Sequence, residues 1–158
     1  MSRTDKLPNR EELIEILRKH GLSVSKQRLA ILDYLYKNKI HPSAEMIYMA
    51  LREGAKKTTL SRATVYNNVR AFVDVGILRE IRMGDEEERR YDIDDEEHCH
   101  LYCRACRKII NLYVPAEELN KVSEVLKNHA KDLEVENVEL TISGLCKKCQ
   151  EEYKSKAI

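Results

Sequence analysis

A chain of 158 residues is long enough for one domain or two small ones, each able to bury only a modest core. No apolar run approaches the roughly 18 residues of a membrane helix, and the start "MSRTDKLPNREE" has no apolar h-region, so a cytoplasmic protein without membrane span or secretory signal is expected. The formal net charge of +1 hides an asymmetry, because residues 1–84 hold 16 Lys and Arg against 9 Asp and Glu, a balance of +7, whereas residues 85–158 hold 12 against 18, a balance of −6.

A basic half beside an acidic half is what a nucleic-acid module joined to another unit shows, the alternative being chance clustering of solvated charges. In the basic half the apolar spacing is helical, starting with Leu13, Ile14 and Leu17 and ending at Gly21, a residue suited to the left-handed conformation past a helix end. Ser25 can cap a second helix carrying Leu29, Leu32 and Leu35. Ser43 can cap a third, with Met46, Ile47, Ala50 and Leu51 as its buried stripe. After the loop "GAKKTT", Ser61 can cap a fourth, in which Val65, Val69, Phe72 and Val73 share the inner face.

On the other face of that fourth helix lie Ala63, Thr64, Asn67 and Arg70, with Tyr66 on the flank. Amides, hydroxyls and cations presented together are groups that read base edges and phosphates, so Arg62, Thr64, Tyr66, Asn67 and Arg70 are the expected DNA contacts. The run "ILREIRMGDEEERRYDI" reads as a β-hairpin about a Gly-Asp turn, which completes a winged helix-turn-helix over residues 1–91. An ordinary amphipathic helix with a polar outer face would show the same periodicity.

The composition changes near Ile93. The acidic stretch "DIDDEEH" suits a hinge; alternation in "HLYC" and "KIINLYV", a turn at Pro115, a helix with Leu119, Val122 and Leu126, and a last strand in "VENVELTIS" with Val138, Leu140 and Ile142 on one face then describe a small α/β unit over residues 92–158. The fold class is therefore α+β. A unit of this size benefits from a metal clip or a partner subunit.

Five cysteines, an odd number in a chain expected in a reducing compartment, argue against a disulfide framework. Cys103-x-x-Cys106 and Cys146-x-x-Cys149 form two knuckles whose four thiolates suit one tetrahedral, closed, structural zinc, with a redox dithiol as the rival reading. Upstream, alternation puts His98 and His100 on one side of an extended chain and Cys99 on the other. Two imidazoles begin a second metal site, and Asp92 and His41 are the candidates to complete it; surface histidines without a shared ligand are the alternative. A zinc hydrolase is not expected, since a four-cysteine site has no open position and no catalytic motif such as HExxH is present.

The "QR" at 27–28, "HPSAEMIY", "SRATVYNNVRAF", "RRYD", "HCHLYCRAC" and "GLCKKC" together resemble the ferric uptake regulator (Fur) superfamily of metal-dependent repressors across nearly the whole chain. The resemblance implies a homodimer with an N-terminal winged helix that reads A/T-rich palindromic double-stranded operators and a C-terminal α/β dimerisation domain. It matches His41, Asp92, His98 and His100 to the regulatory metal site, the four CxxC cysteines to the structural zinc site, and Tyr66 to the recognition-helix tyrosine. "ATVYNNVRAF", "MGDEEERRYD" and an Asp at position 92 most resemble the peroxide-sensing branch, in which Fe(II) reacts with hydrogen peroxide and ligand histidines, here His41 and His98, are oxidised. With Mn(II) the same site would serve a simple metal-dependent repressor.

Where the iron and peroxide branches carry a fifth, carboxylate ligand, this chain has Asn111. A neutral amide lowers affinity for hard Fe(II) or Mn(II) and makes a His-rich site friendlier to Zn(II) or Ni(II), so a zinc-uptake regulator is the competing reading. An accessory third metal is not expected, because Glu97, Cys99 and Val138 stand where ligands are usual and only Glu118 fits. Outside this class, the alternative is a zinc-stabilised protein-interaction module without DNA binding.

Overall fold

The computed structural model describes residues 7–54, 60–82, 88–93, 98–135 and 140–156, and the chain divides into two units, residues 1–94 and 95–158. The first unit comprises α1 (Arg10–Lys19), α2 (Lys26–Lys37), α3 (Ala44–Gly54), α4 (Arg62–Asp74), β1 (Arg79–Ile81) and β2 (Arg90–Asp92). The second comprises β3 (Cys99–Cys103), β4 (Ile109–Leu112), α5 (Ala116–His129), β5 (Thr141–Gly144) and α6 (Lys147–Lys156).

Side-chain caps start the helices of the first unit. Asn9 and Glu12 exchange hydrogen bonds in a capping box on α1, Ser25 Oγ accepts from the Arg28 amide, Ser43 Oγ from Met46, and Ser61 Oγ from Thr64. Gly21 adopts φ +73° just past α1, where a β-carbon would be strained. The apolar stripes then meet in one core: Leu17, Ile31, Leu32, Ile47, Val65, Val69 and Phe72 are each completely enclosed. Emptying the largest of these by Phe72→Ala is worth about 3–5 kcal/mol, enough to threaten a unit of this size.

β1 and β2 pair antiparallel, with Arg79 opposite Asp92 and Ile81 opposite Arg90. The expected hairpin is thus formed; its turn, around Gly84 and Asp85, lies outside the described residues. One backbone and one side-chain hydrogen bond fasten it to the entrance of α3, for Tyr91 N–H donates to Pro42 O and Arg90 Nη1 donates to His41 O.

In the second unit β3 is the central strand, antiparallel to β4 and parallel to β5. Its alternation buries Cys99 and Cys103 on one side and leaves His98 and His100 half-buried on the other. Among the described residues the last strand, β5, covers Thr141–Gly144, with Leu140 just before it; Val138 lies outside the described residues, and Ile142 is exposed. The acidic stretch at residues 94–97, including Glu97, also lies outside them, as do residues 55–59, expected from the sequence to form a loop.

Two features depart from the pattern reading. A sixth helix, α6, begins within the second knuckle; its charged sequence "KKCQEEYKSK" carries too little amphipathic signal to announce it. And α5 forms as expected but buries none of its residues within the chain: Val122, Val125 and Leu126 are 42%, 56% and 46% exposed. A helical apolar period marks an apolar face, and in α5 no part of the chain among the described residues buries it.

Candidate metal centres and nucleic-acid interface

The two knuckles close on each other in the second unit. β3 ends at Cys103, the chain turns through Arg107 at φ +60°, and Arg107 N–H donates to Cys103 O, which curls Cys106 back toward Cys103. β5, hydrogen-bonded alongside β3, delivers Cys146 and Cys149 at the start of α6. The four sulfur atoms lie within 4.8 Å of one another, and those of Cys106 and Cys146 are 3.8 Å apart, the separation of about 3.8 Å that four Zn–S bonds impose on neighbouring sulfurs.

The electrostatics agree with that geometry. The backbone N–H groups of Cys106 and Cys146 donate to Cys103 Sγ and hold its thiol down at about 6, whereas Cys149, hydrogen-bonded to Cys146 and buried, is pushed up to about 12. Four crowded thiols cannot all ionise alone; a divalent cation held by Cys103, Cys106, Cys146 and Cys149 would reverse the balance and favour all four as thiolates. No cysteine forms a disulfide. Cys99 is buried on the sheet away from the histidines and behaves as a small apolar side chain.

His98 and His100 present a second set of donors in this unit. Their Nε2 atoms are 2.9 Å apart, with the rings edge to face, and Tyr113 lies against His98 at 5.5 Å between ring centres. Strand register places Asn111 directly across from His100. Its Nδ2 donates to Tyr113 Oη at 3.3 Å, and its Oδ1 is buried without a hydrogen-bond partner among the described residues. A buried amide oxygen in that condition is a candidate cation ligand.

His41 and Asp92 form a pair of their own in the first unit. His41 Nε2 and Asp92 Oδ1 are 3.7 Å apart, with side chains only 3% and 4% exposed. His41 is also held at φ +52°, a conformation that costs about 1–3 kcal/mol in a non-glycine residue and that persists here because Pro42, Arg90 and Tyr91 grip its neighbours. Strain, burial and a facing carboxylate are not needed to fold four helices and a hairpin; they are what a preset ligand pair requires. The 2.9 and 3.7 Å separations bracket the roughly 3.0–3.4 Å between donors on one first-row divalent ion.

The expected DNA contacts all lie on α4. Tyr66, Asn67 and Arg70 line a groove of about 740 Å³ between this helix and the hairpin, whose other wall includes Arg89 and Tyr91. Thr64 is half-buried, with its Oγ1 2.8 Å from Ser61 Oγ, so its hydroxyl belongs partly to the helix cap. Arg62 is engaged as well: Nε and Nη2 bond the Glu45 carboxylate at 2.9–3.1 Å, and the guanidinium lies 5.0 Å over the Tyr48 ring. Glu45 holds the Arg62 guanidinium more firmly charged. Periodicity did not reveal this pair, 17 residues apart, nor the brace from Arg28 to Asn68 Oδ1, 40 residues apart, that ties α2 to α4 while the same guanidinium also holds Ser23.

A family model described as the ferric uptake regulator family matches residues 19–143. The peroxide-responsive repressor PerR of Staphylococcus epidermidis is 41% identical over 142 residues, covering 90% of this chain and 91% of that protein, and the PerR of Staphylococcus aureus is 40% identical over 141 residues, covering 89% of this chain and 91% of that one. Among solved structures, the Helicobacter pylori ferric uptake regulator Fur, which has three functional metal-binding sites, superposes with a TM-score of 0.72 at 28% identity, covering 93% of this chain and 97% of that one. The Campylobacter jejuni peroxide stress regulator gives 0.64 at 31% identity, covering 87% and 99%. The winged-helix unit, the four-cysteine cluster and these likenesses together establish that the chain belongs to the ferric uptake regulator family.

Proposed function

We propose that the protein is a metal-responsive, DNA-binding transcriptional repressor of the peroxide-responsive kind, acting in the cytoplasm as a homodimer on double-stranded A/T-rich palindromic operators. The observation that carries this reading is the strained, buried His41 facing Asp92 on the hairpin that walls the α4 groove, because it roots a metal half-site in the element that reads DNA.

In this reading Cys103, Cys106, Cys146 and Cys149 hold a structural zinc, while His41, Asp92, His98, His100 and Asn111 hold a second, exchangeable divalent metal. Residues 1–91 then form the DNA-binding domain and 92–158 the metal-binding dimerisation domain. The chain's own residues do the rest. Arg62, Thr64, Tyr66, Asn67 and Arg70 contact DNA, and the exposed apolar face of α5 supports the dimer, where a second copy covers Val122, Val125 and Leu126. Fe(II) held at the second site would supply one-electron reduction of hydrogen peroxide, and His41 and His98 are the ligands whose rings the resulting hydroxyl-radical-level oxidant would attack. Losing an imidazole donor weakens the site and uncouples it from the reading helix.

Asn111 favours a second reading. Its buried Oδ1 offers a neutral donor where a carboxylate would favour hard ions, and a site with more nitrogen than charge suits Zn(II), as in a zinc-uptake regulator, or Ni(II). Titrating the zinc-loaded protein with Fe(II), Mn(II), Zn(II) or Ni(II) while following operator binding by fluorescence anisotropy separates them. The peroxide reading expects tight binding with Fe(II) or Mn(II) and release by peroxide from the Fe(II) form alone. Activation by added Zn(II) only would replace it.

A further inference from the structure

Asp92 divides its two carboxylate oxygens between different neighbours. Oδ1 faces His41 Nε2 at 3.7 Å, and Oδ2 stands 3.4 Å from Arg79 Nη2. The register of β1 on β2 puts Arg79 directly opposite Asp92, so the guanidinium is a fixed neighbour. Yet the two differ in environment: Asp92 is 4% exposed and Arg79 56%. A carboxylate that deep is expensive to keep ionised unless a cation or donor stands against it, and Arg79 supplies one while its own charge stays largely hydrated. The same positive charge repels any divalent cation that His41 and Asp92 take between them.

We propose that Arg79 is a positioning residue for the regulatory metal, reserving Oδ2 of Asp92, leaving Oδ1 to face His41, and competing with the metal as counter-charge to the same carboxylate. The inference rests on the reading of His41 and Asp92 as metal ligands. It gives Arg79 two effects of opposite sign. Without metal, the guanidinium stabilises the hairpin by matching a buried charge. With metal, it lowers affinity and so keeps the ion exchangeable.

The test uses the full-length, zinc-loaded protein and Mn(II) as the probe. Thermal unfolding midpoints are measured with and without Mn(II), and Mn(II) uptake is followed by equilibrium dialysis, for wild type, Arg79→Gln and Arg79→Lys. Arg79→Gln is expected to unfold at a lower temperature without Mn(II), to gain more than wild type when Mn(II) is added, and to bind Mn(II) about tenfold more tightly, the factor for a unit charge about 6 Å from a divalent ion in a water-like dielectric. Arg79→Lys keeps the charge and should stay near wild type. Should Arg79→Gln not fold, Arg79→Thr removes the same charge with a strand-favouring side chain and is read in the same way. A midpoint lowered equally with and without Mn(II), or Mn(II) affinity unchanged or weakened, would make Arg79 a brace of the hairpin only and overturn the proposal. Where wild type takes up no Mn(II), the same comparison is made with a second equivalent of Zn(II); uptake of neither ion beyond the structural zinc would remove His41 and Asp92 as ligands, and the proposal with them.

Discussion

Arg62 and Arg70 illustrate why a residue's type and face do not by themselves settle its part in binding. Both are exposed cations on α4, two turns apart. Arg70 opens onto the groove beside Tyr66 and Asn67 and has no ion-pair partner among the described residues, whereas Arg62 must leave the Glu45 carboxylate and the Tyr48 ring before a phosphate can take it. Replacing Asn67 or Arg70 by Ala is therefore expected to cost about 1–3 kcal/mol of operator affinity, as loss of a base-edge contact does, while dimer and zinc content stay intact. Arg62→Ala should cost less than either. Fluorescence anisotropy on one operator ranks the three, and an Arg62→Ala loss equal to that of Arg70→Ala would contradict the masking by Glu45. What was legible at this scale was local. Caps at Ser25, Ser43 and Ser61 and the side on which Cys99 lies follow from spacing of two to four residues. Glu45 with Arg62 and Arg79 with Asp92 do not, because they depend on how separate elements pack.

At the scale of elements, periodicity located four of the helices in the first unit because each buries a continuous stripe, and strand alternation located β3 and β4. It missed α6, which is solvated nearly all round and is started by the knuckle it completes. The apolar period of α5 is where pattern and burial part, for its stripe is exposed in the single chain. An exposed apolar helix face of this kind marks an interaction surface, and in the homodimer proposed above a symmetric partner would present the same face in return. The double substitution Val122→Glu, Leu126→Glu is accordingly expected to shift the protein to monomer in sedimentation analysis while zinc remains bound. A dimer that survives it would place the interface elsewhere. Cys146→Ser tests the other support of this unit. With β5 and α6 both anchored through that knuckle, loss of one thiolate should release the zinc and, by circular dichroism and sedimentation, unfold the unit or dissociate the dimer. A folded, dimeric, zinc-free variant would contradict the structural role.

For the whole molecule, the question is how a metal ion changes DNA affinity at a distance from α4. A ligand shifts an equilibrium only by its difference in affinity between states, and moving a population from 1:99 to 99:1 takes about 10⁴-fold. One side chain seldom supplies that; in the reading proposed above, donors from His41 and Asp92 and from His98 and His100 would supply it, because such a site would exist only when the two sets are brought together. Each set is already arranged locally, by backbone strain at His41 and by strand alternation at His98 and His100, so a metal bound as proposed would have little to organise within either set. Damage to one imidazole should then abolish the coupling rather than weaken it in proportion. The Fe(II) form exposed to peroxide is expected to lose operator binding in step with a mass increase of one oxygen atom on the peptide carrying His41 or His98, read by tryptic mass spectrometry, while the Mn(II) form keeps both its mass and its affinity. Release without histidine oxidation, or oxidation without release, would break the link between these side chains and the switch and leave peroxide acting elsewhere, with the four zinc-site thiolates the next place to look.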